Sequence, residues 1–133
     1  GLCNNLGFSA SDRAENIRRV SEVSRLFVDV GLIVINSFIS PTRTIRDQAR
    51  QIIGPDAFFE VYVNCPLSTC EERDVKGLYE KARAGEIPDF TGIHTPFEEP
   101  RKPDSELDTT QHEPAESVDL LYQAVLPHIR YQG

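Results

Sequence analysis

Helices over both faces of a small parallel sheet, an α/β domain, are what this chain of 133 residues predicts. Three observations carry that reading. Apolar residues recur at three- and four-residue steps in a segment near each end of the chain. Between those segments stand two short runs, rich in β-branched residues and nearly continuous in apolar character, as strands covered on both faces are. The stretch joining the runs is longer than the dozen residues a parallel crossover needs.

The elements follow in order. Ser9 to Val30 reads as a helix, with Ser9 and Asp12 as a boxed N-terminal cap. Ile17, Val20, Val23, Phe27 and Val30 share its apolar face, and Gly31 supplies the stop. Leu32–Ile39 (LIVINSFI) is a strand ended by Pro41. Thr42–Ile53 is a polar, Arg-rich helix closed by Gly54 and Pro55. Phe58–Asn64 (FFEVYVN) is a second buried strand, closed by Pro66. Leu67–Arg73 and Leu78–Ala84 are short helices. From Gly85 to Glu113, four prolines and many acids make a long irregular stretch of the kind used for functional lids, with a short strand near Ser105–Thr109. Pro114 opens a last helix to Ile129, with Val118, Leu121, Val125 and Ile129 on one face. Two strong strands make a poor sheet, so the four or five that such a domain carries are expected to be completed before Gly1. A chain that opens on glycine and contains no methionine is likewise expected to be a processed or partial product.

A formal net charge of −7 argues against a nucleic-acid binder, whose footprint is strongly basic. The charge is unevenly spread: residues 1–50 balance to +2 with arginine as the only cation, and residues 51–133 to −9. Arginine forks suit phosphate- or sulfate-like anions, and equally the ion pairs of solvated helix faces. No apolar run approaches the ~20 residues of a membrane helix, so no membrane partner is expected. Cys3, Cys65 and Cys70 form neither a disulfide framework nor a zinc pattern. Buried free thiols in a reducing, cytoplasmic setting are the natural inference.

Three stretches are specific enough to suggest a family. Residues 1–19 (GLCNNLGFSASDRAENIRR), 38–41 (FISP) and 74–92 (DVKGLYEKARAGEIPDFTG) resemble adenylyl-sulfate kinase (APS kinase), and the likeness runs to about Thr109. The resemblance implies a P-loop NTPase-like parallel sheet sandwiched by helices. It also implies transfer of the γ-phosphoryl of ATP to the 3′-hydroxyl of adenylyl sulfate, the step that completes sulfate activation. The chain departs from the family at one point. The phosphate-cradling G-x-x-x-x-G-K-[ST] needs two glycines five apart, and no pair here has that spacing. The family's DGDN segment is also absent. Residues 1–133 are therefore expected to be the C-terminal three-quarters of one kinase domain, with a lid over about 74–104, and to be inactive alone. ATP as co-substrate and Mg2+ are implied for the intact domain, with no metal ligand in these residues. The alternative is a truncated, non-catalytic relative that binds an adenylyl nucleotide or a partner subunit. A small P-loop kinase for a sugar or shikimate-type acceptor is a third reading, against which KGLY-x-KARAGEI speaks.

The resemblance also assigns residues. Phe8 lies against one face of the adenine of adenylyl sulfate and Phe90 closes on the other, whereas the plain reading of Phe8 is a staple before the helix. Arg13 and Asn16, in DR-x-x-N, hold the phosphosulfate and neighbouring polar atoms. Ile39 and Ser40 touch substrate at the carboxyl edge of the first strand run. The family's serine there is also described as a phosphorylated intermediate, which makes Ser40 a catalytic candidate. Direct in-line transfer needs no such intermediate and no histidine follows closely to activate it, so Ser40 is read as a contact, with helix capping as its structural competitor. Lys76, Lys81 and Arg83 neutralise phosphate charge, and Asp89 with Phe90 binds substrate. Asp108 and Thr109, in an LDT segment, lie near the nucleotide base. A homodimer, and fusion to or association with ATP sulfurylase, complete the family's expectations.

Overall fold

The first helix forms as α1, Ala10–Asp29, in the computed structural model, which describes residues 1–130. Ser9 caps it, its Oγ accepting from the Asp12 amide at 3.1 Å. At the other end Gly31 takes φ +83°, and the Leu32 amide reaches back to the Phe27 carbonyl at 3.0 Å. The α/β architecture is present, as a parallel sheet with helices. The described residues divide into two compact units: Gly1–Phe58 with Thr95–Glu99, and Phe59–His94 with the residues from Pro100 onward.

In the first unit α1 packs on α2, Arg43–Ile53. Ile17, Ile45 and Ala49 are its buried centre, with Ala14 and Phe58 against them. The buried stripe of α1 differs from the expected one. It runs through Ile17, Ser21 and Ser24, while Phe27 and Val30 are exposed. The two serines fit because each hydroxyl donates back to its own helix, Ser21 to the Ile17 carbonyl at 2.7 Å and Ser24 to that of Val20 at 2.8 Å. A polar residue so satisfied buries without penalty, and its small volume suits a close helix contact.

The expected strand Leu32–Ile39 is corrected by the structure. The segment pairs with no strand among the described residues, and Ile33 and Ile35 are 66% and 91% exposed. An apolar run becomes a buried strand only where neighbours supply a ladder and cover. Two hydrogen bonds tie it to α1: the Leu32 amide to the Phe27 carbonyl at 3.0 Å, and the Asn36 side chain to Ser24 at 3.0 Å.

The second unit holds the sheet. Strand β1, Val61–Asn64, pairs in parallel with β2, Ser105–Asp108, in the register Val61 with Ser105 and Asn64 with Asp108. The partner of the Phe58–Asn64 run is thus the short strand from the irregular stretch. Helix α3 covers Leu67–Arg73, α4 covers Leu78–Arg83, and α5, Pro114–Ile129, packs on β2. The apolar stripe expected on α5 is only half covered: Val118 is 65% exposed, and no α5 residue is buried.

Candidate functional site

Five residues singled out in the sequence meet in one cavity of the first unit. Phe8, Arg13, Asn16, Ile39 and Ser40 line a cleft of about 280 Å³, together with Gly7, Ser37 and Phe38. The loop before α1 supplies Phe8, the first turns of α1 supply Arg13 and Asn16, and the end of the extended segment supplies Ile39 and Ser40. Phe8 is 74% exposed, so it is not a core staple. Arg13 is fixed beside it: Nε donates to the Phe8 carbonyl at 3.0 Å, and the guanidinium lies 5.7 Å from the ring centroid.

Ser40 adopts φ +43°, a left-handed conformation that non-glycine residues take up rarely. Arg46 holds it there, Nη1 donating to the Ser40 carbonyl at 2.6 Å. Ser40 does not cap the following helix. Thr42 does, its hydroxyl accepting from the Ile45 amide at 3.4 Å. Arg43 and Arg46 also clasp the carbonyls of Glu99 and Glu98. Arg50 lies 4.8 Å over the Phe58 ring. Arg18 and Arg19 pair with Glu15, and their hydrogen bonds, that of Arg18 first, hold the Glu15 carboxyl down at about 2. Most arginines of the basic half are therefore structural, and Arg13 is the one lining the cleft.

The second unit carries a larger cavity, about 1000 Å³, between α3, α4 and the chain that leaves β2. Lys76 and Thr109 line it, as do Cys65, Cys70, Arg73, Tyr79 and His112. Arg73 braces one wall, its Nη2 donating to the Thr109 carbonyl at 2.8 Å and Nη1 to the Thr109 hydroxyl at 3.2 Å. Arg73, Tyr79 and His112 were not singled out in the sequence. Tyr79 lies within the family-like stretch 74–92 and Arg73 directly before it, and that position is the signal that could have found them.

Lys81, Arg83, Asp89, Phe90 and Asp108 line neither cavity. Arg83 is ion-paired with Glu71 at 2.7 Å. Asp108 accepts from the hydroxyl and amide of Thr110, at 2.7 and 2.8 Å, and the hydroxyl foremost lowers its carboxyl. Phe90 stacks edge-on with Tyr79 at 5.0 Å, and the preceding Asp89 is left-handed at φ +54°. The thiols of Cys3, Cys65 and Cys70 are free but half-exposed, which corrects the expectation of burial. Among the described residues no three His, Cys, Asp or Glu side chains gather as a metal-holding group, and no helix is long and apolar enough to cross a membrane.

Comparison with known proteins completes the site. The family model for adenylylsulphate kinase matches residues 1–108. The chain is 57% identical to an adenylyl-sulfate kinase of Bacteroides fragilis, over 97% of this chain and 64% of that protein. It is 55% identical to one of Phocaeicola vulgatus, over 100% of this chain and 65% of the relative. The chain thus spans about two-thirds or less of the length of these curated relatives. Among solved structures it resembles the Mycobacterium tuberculosis APS kinase CysC in complex with AMPPNP and APS, with a TM-score of 0.85 at 44% identity. That match covers 95% of this chain and 73% of the other.

Proposed function

The chain belongs to the adenylyl-sulfate kinase family, and on that premise we propose that its first unit recognises the acceptor of an ATP-dependent kinase that phosphorylates the 3′-hydroxyl of adenylyl sulfate. The convergence of Phe8, Arg13, Asn16, Ile39 and Ser40 on one cleft is the observation that supports it. The exposed Phe8 ring offers a stacking face to the adenine, worth about 1–3 kcal/mol. Arg13, oriented by the Phe8 carbonyl on the wall of the cleft, meets the phosphosulfate. Asn16 and the Ser40 hydroxyl complete the polar contacts, with Ser40 a contact rather than a nucleophile. Within the second unit, Asp89 and Phe90 are read as adenylyl sulfate contacts, and Lys76, Lys81 and Arg83 as cations that offset phosphate charge.

The cavity of the second unit takes the base of ATP, against Thr109 and the turn that Asp108 organises. Magnesium screens the ATP phosphates when bound, and the described residues supply no ligand set for it. The proposal extends to a cytoplasmic homodimer, with ATP sulfurylase as fused or associated partner.

Calorimetric titration with adenylyl sulfate tests the cleft. Phe8→Ala is expected to weaken adenylyl sulfate binding about tenfold or more, as loss of one stacked base implies, and to leave ATP binding unchanged. Equal losses for both nucleotides would contradict the assignment. Binding by a whole protein that never transfers phosphoryl would favour the non-catalytic relative instead.

A further inference from the structure

The two cysteines of the second unit stand where their side chains meet. Helix α3 begins at Leu67 with Pro66 as its N-terminal cap, so Cys65 precedes the cap and Cys70 is the fourth helical residue. Those two positions pack against each other across a first helical turn; apolar residues use the same geometry as a staple. Here both are thiols. The Cys70 thiol reaches back to the Cys65 carbonyl oxygen at 3.9 Å, which brings its sulfur to the residue that carries the other thiol. Arg73 Nη1 donates to the Cys65 sulfur at 3.7 Å. Cys65 and Cys70 both line the open cavity and are half-exposed, so a small solute reaches them.

We propose that Cys65 and Cys70 are a reversible redox pair, oxidised to a disulfide by a hydroperoxide with Cys65 as the first thiol and Cys70 as the resolving one. Cys65 bears a guanidinium on its sulfur, the setting of reactive cysteines. Burial, and then its bond to Cys65, pushes the Cys70 thiol up, which suits the second role. In the first step the Cys65 sulfur attacks a peroxide oxygen. The O–O bond breaks, the distal oxygen leaves with the Cys65 proton as water from hydrogen peroxide or as an alcohol from an organic hydroperoxide, and Cys65 is oxidised to a sulfenic acid. The Cys70 sulfur then attacks the Cys65 sulfur. The S–S bond forms, the S–O bond breaks, and the oxygen departs as water with the Cys70 proton. A dithiol reverses the change by exchange.

The sequence makes the test direct, because residues 51–73 contain both cysteines and no internal Lys or Arg. One tryptic peptide therefore reports the pair. The purified protein is treated with hydrogen peroxide, alkylated, digested and weighed by mass spectrometry. The expected peptide is unalkylated and lighter than the dithiol by two hydrogens, and dithiothreitol restores both alkylation sites. Cys3→Ser retains this behaviour. Cys70→Ser, checked for folding by circular dichroism, loses it and accumulates added oxygen on Cys65. Should that variant not fold, the wild-type peptide decides alone. Oxygen added separately to each cysteine, or a bridge from either to Cys3 or to another molecule, overturns the proposal.

Discussion

Ser40 combines a strained backbone with a place on the wall of the proposed acceptor cleft. Its left-handed backbone costs on the order of 1–3 kcal/mol, and the Arg46 bond to its carbonyl offsets part of that. Glycine adopts the same φ without the Cβ penalty, so Ser40→Gly is expected to raise stability by up to about 1 kcal/mol in thermal unfolding. The same change removes a hydroxyl from the cleft, and affinity for adenylyl sulfate is expected to fall. A variant with raised stability and unaltered affinity would remove Ser40 from the site. The sequence S-P-T offers Ser40 as a cap before a helix that opens at Thr42, whereas in the structure Thr42 itself is the cap and the helix opens at Arg43. Only the backbone angles separate the roles. Phe8 is similar: a ring before a helix serves equally as staple or stacking platform until its exposure is known.

Among the elements, α4 depends on a cap supplied from outside it. Its first residue follows Gly77, which has no side chain to offer, and the Asp74 carboxylate accepts instead from the amides of Tyr79 and Glu80 at 3.1 and 3.0 Å. These bonds, that of Glu80 foremost, hold the Asp74 carboxyl below its usual range. The sign follows from linkage: the stabilisation is fully present above the unfolded carboxylate value and is lost as pH falls through the depressed folded one. The protection of the Leu78–Arg83 amides, taken relative to their intrinsic exchange rate at each pH, is expected to fall on acidification, and Asp74→Ala to lower it already at neutral pH and flatten its dependence on acid. A wild-type profile unchanged by Asp74→Ala would rule the cap out. The elements readable from sequence were those whose signals are local. Caps and prolines bounded α2, α3 and α5 to within a residue. Leu32–Ile39 was misread because a strand's existence depends on partners elsewhere, and the α1 stripe because Ser21 and Ser24 look polar until their back-bonds are seen. Ile45, buried on α2 against α1, carries ordinary core energetics. Ile45→Ala is expected to cost about 2–5 kcal/mol in denaturant unfolding.

At the scale of the whole molecule, the proposed acceptor cleft and the phosphate-holding parts of a P-loop kinase are separate requirements. Catalysis of phosphoryl transfer is mostly positioning and charge stabilisation around the β- and γ-phosphates, work done in P-loop kinases by the glycine-rich loop, its lysine and the metal. These 133 residues contain no G-x-x-x-x-G-K-[ST], whereas each residue assigned to the acceptor cleft is present and assembled within one unit. A polypeptide limited to these residues is therefore expected to bind adenylyl sulfate and to form no 3′-phosphorylated product with ATP and magnesium. Calorimetry reads the first quantity and chromatographic separation of the nucleotides the second. Binding that Phe8→Ala weakens about tenfold or more, with no turnover, is the predicted pair of results. Turnover by these residues alone would mean that groups other than a glycine loop hold the ATP phosphates, and Lys76, on the wall of the second cavity, would then be the first cation to replace. Absence of binding by a folded polypeptide would instead mean that the cleft needs residues beyond those present, and Phe8→Ala in the whole protein would decide whether the assignment survives.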